Sequence, residues 1–231
     1  MSVGGGISDV DENSYSAGGD GPLWSAYAGG VAALAAGGVQ VVEVLIRMLS
    51  QQSQTRLDLL ANLFGDVSVI LVAAALLGLY RVVVNLQGEV SSVTTAGMIV
   101  ALLTILLSGM MVLYDLVWLA RGPSMYGSVM TPTPQLIAQV GFFSLLCSLT
   151  LLGVAGFQAG ALGRWRVYPL LLALIAVPIP SLLAFLLSSG AGAGVRTVGP
   201  PFLIPALGFI LLGLLLMRHN ALDRAARHRP K

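Results

Sequence analysis

Six long apolar stretches fill most of this 231-residue chain: Leu23–Leu49, Leu63–Val84, Thr94–Ala120, Gln135–Leu162, Tyr168–Ser188 and Phe202–Met217. At about 1.5 Å of rise per helical residue, the first five can cross a hydrocarbon core of about 30 Å. The sixth is short and crosses only by starting earlier or where the bilayer thins. A bilayer interior offers no hydrogen-bond partners, so a spanning segment is a helix or part of a closed barrel. These runs are continuous and lack the alternation of a barrel strand. The expected fold class is therefore all-α, a polytopic integral membrane bundle of about six transmembrane helices over residues 23–217.

Composition agrees. Only 10% of the residues are charged and 56% are hydrophobic, against about 25% charged in a soluble domain. Residues 1–22 carry Asp9, Asp11, Glu12 and Asp20 among many Gly and Ser, with no Lys or Arg. That segment reads as an acidic disordered tail and lacks the positive n-region of a secretory signal. Residues 218–231 read as a basic cytoplasmic tail. Directly after a span, its cations suit anionic headgroups better than nucleic acid, and no nucleic-acid partner is expected. All the cations except Lys231 are Arg, a usage that points to a bacterial cell membrane.

Several chemistries are excluded by what the spans lack. The two histidines, His219 and His228, both lie in the basic tail, so no span can supply haem, zinc or di-iron ligands through histidine. Cys147 stands alone in the fourth span and is expected as a small buried side chain. There is no Ser/His or Cys/His pairing within the bundle and no phosphate-binding loop. No cofactor, metal site or catalytic residue is expected, and the reading leans away from an enzyme.

The loops give an orientation. Arg81, Arg164, Arg166, Arg218, Arg224, Arg227, Arg229 and Lys231 fall on one side of the bundle, against Arg47, Arg56, Arg121 and Arg196 on the other. The positive-inside rule then places both termini in the cytoplasm, although Arg47 and Arg56 after the first span argue locally the other way.

Three features bear on packing. Gly29, Ala33 and Gly37 are spaced by four in a first span poor in bulk, so they let another helix approach closely. That neighbour is either another span of the chain or a partner, in a homo-oligomer or a membrane complex. Pro178 and Pro180 sit near the middle of the fifth span, where a kink is expected. The patterns Leu76-Leu77-Gly78, Leu151-Leu152-Gly153 and Leu211-Leu212-Gly213 recur in the even-numbered spans and suggest three hairpins on one plan.

The charged residues are the most informative local signal. An ionisable side chain at a helix centre costs about 2.5–3.5 kcal/mol on insertion scales. Glu43, Arg47, Asp66 and Asp115 nevertheless occur within or at the edge of three different spans, all toward the proposed outer side. Gln40, Glu43 and Arg47 share a face of the first helix, Asn62 and Asp66 a face of the second, and Thr104, Ser108 and Asp115 a stripe of the third. If these faces converge they form a polar pocket that could bind a proton, a cation or a small substrate. The competing reading is structural pairing of Glu43 with Arg47 and of Asp115 with Arg121 or Arg47. The expected function is a small permease or ion-coupled transporter, with a non-catalytic accessory or scaffold subunit as the alternative.

Overall fold

The computed structural model describes residues 25–49, 55–88, 90–121, 132–179 and 203–227. The acidic segment 1–22, Pro180, most of the long connections 121–134 and 188–201, and the end of the basic tail lie outside them. The described residues are helical throughout apart from turns, with no strand. The order is α1 (Ala26–Leu49), α2 (Thr55–Gln87), α3 (Ser92–Arg121), α4 (Pro132–Gln158), α5 (Tyr168–Leu171) continued by a π turn (Leu172–Ala176), and α6 (Leu203–Arg227). Five of these helices (α1 to α4 and α6) are long and apolar enough to cross a membrane. Large side chains such as Ile99, Leu106, Leu113, Phe143 and Leu174 stand exposed on the outside of the bundle. An apolar perimeter of this kind is what lipid requires and water does not tolerate. The chain is a multi-pass integral membrane protein.

Helix ends follow local chemistry. Ser25 Oγ accepts the Ala28 N–H at 3.1 Å and Ser91 Oγ accepts the Thr94 N–H at 3.2 Å; both are N-cap arrangements. The second helix begins at Thr55, well before Leu63, because hydropathy marks where lipid contact starts and not where the helix starts. At 33 residues it is about 50 Å long, longer than the hydrocarbon is thick. The fourth helix stops at Gln158 and not at Leu162. Gly160 there takes a φ of +67°, with Ala161 N–H bonded to Gly156 O and Gly160 N–H to Phe157 O. That is a Schellman termination, which glycine accepts without steric cost.

Helix α2 is the centre of the bundle, packed against α1, α3, α4 and α6, and α1 lies between α2 and α6. The small residues of α1 make this possible. A Cβ on Gly29 would lie 2.6 Å from the Gly78 Cα of α2, and one on Gly37 would lie 2.5 Å from the Ala206 carbonyl of α6. Gly29 and Gly37 are about 80° apart around the helix at 100° per residue, so they serve two neighbours. Ala33 is fully buried. The Gly29, Ala33 and Gly37 surface is thus occupied within the chain, and a partner could use it only by displacing α2 or α6.

The recurring Leu-Leu-Gly pattern is a packing device with three different partners. Gly78 meets Gly29 of α1, Gly153 meets Leu170 of α5, and Gly213 meets the Gly30 carbonyl of α1. No common hairpin plan underlies it. Cys147 is exposed, contrary to the expected burial. A thiol is apolar enough to face lipid without a partner.

Helices α3 and α4 are joined by a buried polar contact, Ser148 Oγ donating to the Gly97 carbonyl at 3.0 Å. Interhelical hydrogen bonds in membrane proteins average about 0.6 kcal/mol. Ser148→Ala is expected to lower stability in detergent by that order. Ser144→Ala should leave stability unchanged, since the Ser144 hydroxyl bonds only to Val140 O of its own helix. Equal losses in the two thermal unfolding profiles would argue against a tie between α3 and α4.

Candidate functional site

The C-terminal end of α1, the N-terminal third of α2 and the C-terminal end of α3 lie at one end of an antiparallel bundle. Each carries acidic residues there, and the fold brings them together. Arg47 Nε donates to Glu43 Oε1 at 2.9 Å, and Arg47 Nη2 lies 2.9 Å from the same oxygen. The same Nη2 donates to Asn62 Oδ1 at 3.0 Å, so one guanidinium ties α1 to α2. Their spacing of four puts Glu43 and Arg47 on one helix face, and Asn62 meets them from the facing helix.

Glycine shapes the next turn of α2. A Cβ on Gly65 would lie 3.1 to 3.2 Å from the carboxyl atoms of Glu43, so the bare backbone there is what seats this carboxylate against α2. Asp66, one residue on, is within hydrogen-bond reach of Asp115 on α3 and lies in the field of Glu43 and Arg47. Asp115 is only 2% exposed, and its Oδ2 has no hydrogen-bond partner among the described residues. The four ionisable residues singled out in the sequence therefore form one cluster across three helices.

The other polar residues of the third span point elsewhere. Thr104 Oγ1 bonds back to Val100 O at 2.9 Å within its own helix. Ser108 is buried and lies beside Gly141 of α4. Neither contributes to the cluster. In the fifth span the π turn ends with Val177 N–H bonded to Leu172 O at 3.1 Å, directly before Pro178. In a regular helix the Pro178 ring would clash with the carbonyl of Leu174. This segment packs chiefly on α4 and α6, where Tyr168 Oη donates to Gly208 O at 2.8 Å.

Gly65 and Ser68 were not evident from the sequence. Gln40 Oε1 and Ser68 Oγ are buried and, like Asp115 Oδ2, without a hydrogen-bond partner among the described residues. The contacts of Gly29 with Gly78 and of Glu43 with Gly65 fix the antiparallel register of α1 and α2. That register sets Gln40 level with Ser68, one turn deeper than Glu43. An orphaned buried polar group costs about 1–3 kcal/mol. The 3-4 spacing of Ala61, Gly65, Ser68, Val72 and Ala75 was the available signal, since it marks the seam facing α1. Comparison with known proteins finds no match to the chain among family models, curated proteins or solved structures.

Proposed function

From a multi-pass membrane protein with this interior, we propose a small ion-coupled permease whose ion site is the cluster of Glu43, Arg47, Asp66 and Asp115. The observation that carries the reading is the convergence of three carboxylates and one guanidinium from three spanning helices, with Asp115 almost wholly buried. Buried ionisable groups are expensive in a membrane interior, and ion and proton pathways are where such groups are found. A pairing role alone accounts for Glu43 with Arg47 but leaves two further acids in contact.

The cation asymmetry of the connections supports an orientation with both termini in the cytoplasm, which sets the cluster toward the outer face. Arg47 orients Glu43 and fixes α1 against α2, while Asp66 and Asp115 exchange the ion. Asp115→Asn should abolish ion-coupled flux in proteoliposomes while leaving helicity and monodispersity intact. Normal coupled flux by this variant, screened against a panel of ions and small solutes that the unaltered chain moves, would remove Asp115 from the mechanism.

A further inference from the structure

Resting on the reading of the cluster as an ion site, we propose that the ion is a proton and that Asp66 and Asp115 hold it jointly. Two carboxyl groups can hydrogen-bond to each other only when one of them carries a hydrogen. Asp66 and Asp115 approach to that reach from α2 and α3. Charge counting points the same way. With every acid ionised, Glu43, Asp66 and Asp115 present three negative charges to the single guanidinium of Arg47, which already bonds to Glu43. One proton shared by the aspartates removes the repulsion between them, and like charges in contact cannot both ionise cheaply in a low dielectric.

Burial supplies an independent observation. Asp115 is 2% exposed, with Oδ2 unpartnered among the described residues. An ionised carboxylate in that position would need more donors than it has, whereas a carboxyl sharing its proton needs one acceptor. Asp66, the less buried of the two, is the end at which the proton enters and leaves. On release its O–H bond breaks, the proton passes to water, and two facing carboxylates remain. Loading thus draws α2 and α3 together and release drives them apart.

The neighbours add little competing charge. Asp66 faces Asp115 from α3 and Glu43 and Arg47 from α1, and Asp58 lies two turns away on α2. Asp115 faces Asp66 and Arg47. Helix α4, packed on α3, contains Cys147 as its only titratable residue, and that thiol is exposed. Helix α6 carries Arg218 and His219 at the far end of the bundle. No group of three or more His, Cys, Asp or Glu among the described residues is arranged to hold a metal ion.

The test is infrared difference spectroscopy of the full chain in lipid nanodiscs across a pH series. A single protonated-carboxyl stretch should grow as pH falls, disappear in Asp66→Asn and in Asp115→Asn, and persist in Glu43→Gln. Sodium, potassium or calcium at fixed pH should leave it unchanged. Carbon-13 labelling of aspartate in the unaltered chain should shift the band, which keeps the test independent of how the variants fold. The proposal is overturned by the absence of a titrating band, by its survival in both Asn variants, by an unshifted band after labelling, or by its removal by a cation at constant pH. Flux plays no part in this readout. A band without transport refutes the permease and keeps the proton pair, and sodium-coupled transport without a band does the reverse.

Discussion

Gly29→Ala is expected to destabilise the protein by about 1–3 kcal/mol, the usual cost of overpacking a tight interior. The added methyl would lie 2.6 Å from the Gly78 Cα and 3.1 Å from the Ala75 carbonyl. Both obstacles are backbone, so no side chain can swing away, and α1 must separate from α2 along its length. Gly29→Leu should prevent the hairpin from closing. The control is Gly38→Ala, where nothing lies within 4 Å of the new methyl. With no clash to offset it, the intrinsic preference of a helix for Ala over Gly acts alone, at about 0.5–1 kcal/mol in favour. Thermal unfolding in one detergent compares the three directly. Equal stability of Gly29→Ala and Gly38→Ala would mean that α1 and α2 do not approach as closely as described. Lipid tails supply no hydrophobic drive between helices, so close packing of this kind is what holds the bundle together.

The spans were legible in the sequence because a continuous apolar run can be little else in a chain with so few charges. Their ends were not. Thr55–Asn62 is helical but polar enough to escape a hydropathy reading, and the end of α4 is decided by the left-handed backbone at Gly160. The acidic cluster was legible for the same reason as the spans, since each of its members interrupts an apolar run. Its supporting residues interrupt nothing. Gly65 and Ser68 look like ordinary small residues until the register of α1 against α2 sets one beside Glu43 and the other level with Gln40. The small face of α1 was visible as a spacing of four, yet spacing alone could not say that Gly29 serves α2 and Gly37 serves α6. Neighbour identity is a property of the bundle and not of the helix. Thr104 and Ser108 share a stripe with Asp115, but a hydroxyl can return to its own backbone or turn to another helix, as these do. A carboxylate has no such local escape, and this is why the acids converged where the hydroxyls did not.

Arg47→Met is expected to destabilise the protein by about 3 kcal/mol, the lower end of the range for breaking a buried ion pair. The Glu43 and Arg47 side chains are 18% and 26% exposed, so the pair is far drier than a surface salt bridge worth about 0–1 kcal/mol. Without the guanidinium, Glu43 sits against the Gly65 backbone with Asp66 and Asp115 near, and α1 loses its hydrogen bond to Asn62. Glu43→Gln should cost less, because Arg47 retains Asn62 and remains in the field of the two aspartates. In the double variant Glu43→Gln/Arg47→Met the uncompensated carboxylate is gone, and most of the loss should be recovered. The four proteins form a double-mutant cycle read by thermal unfolding in one detergent. A double variant no better than Arg47→Met would show that the arginine acts through Asn62 and the aspartates. Restored stability would instead fix its main role as the counter-charge of Glu43, leaving Asp66 and Asp115 as the acids whose charge the fold does not itself neutralise.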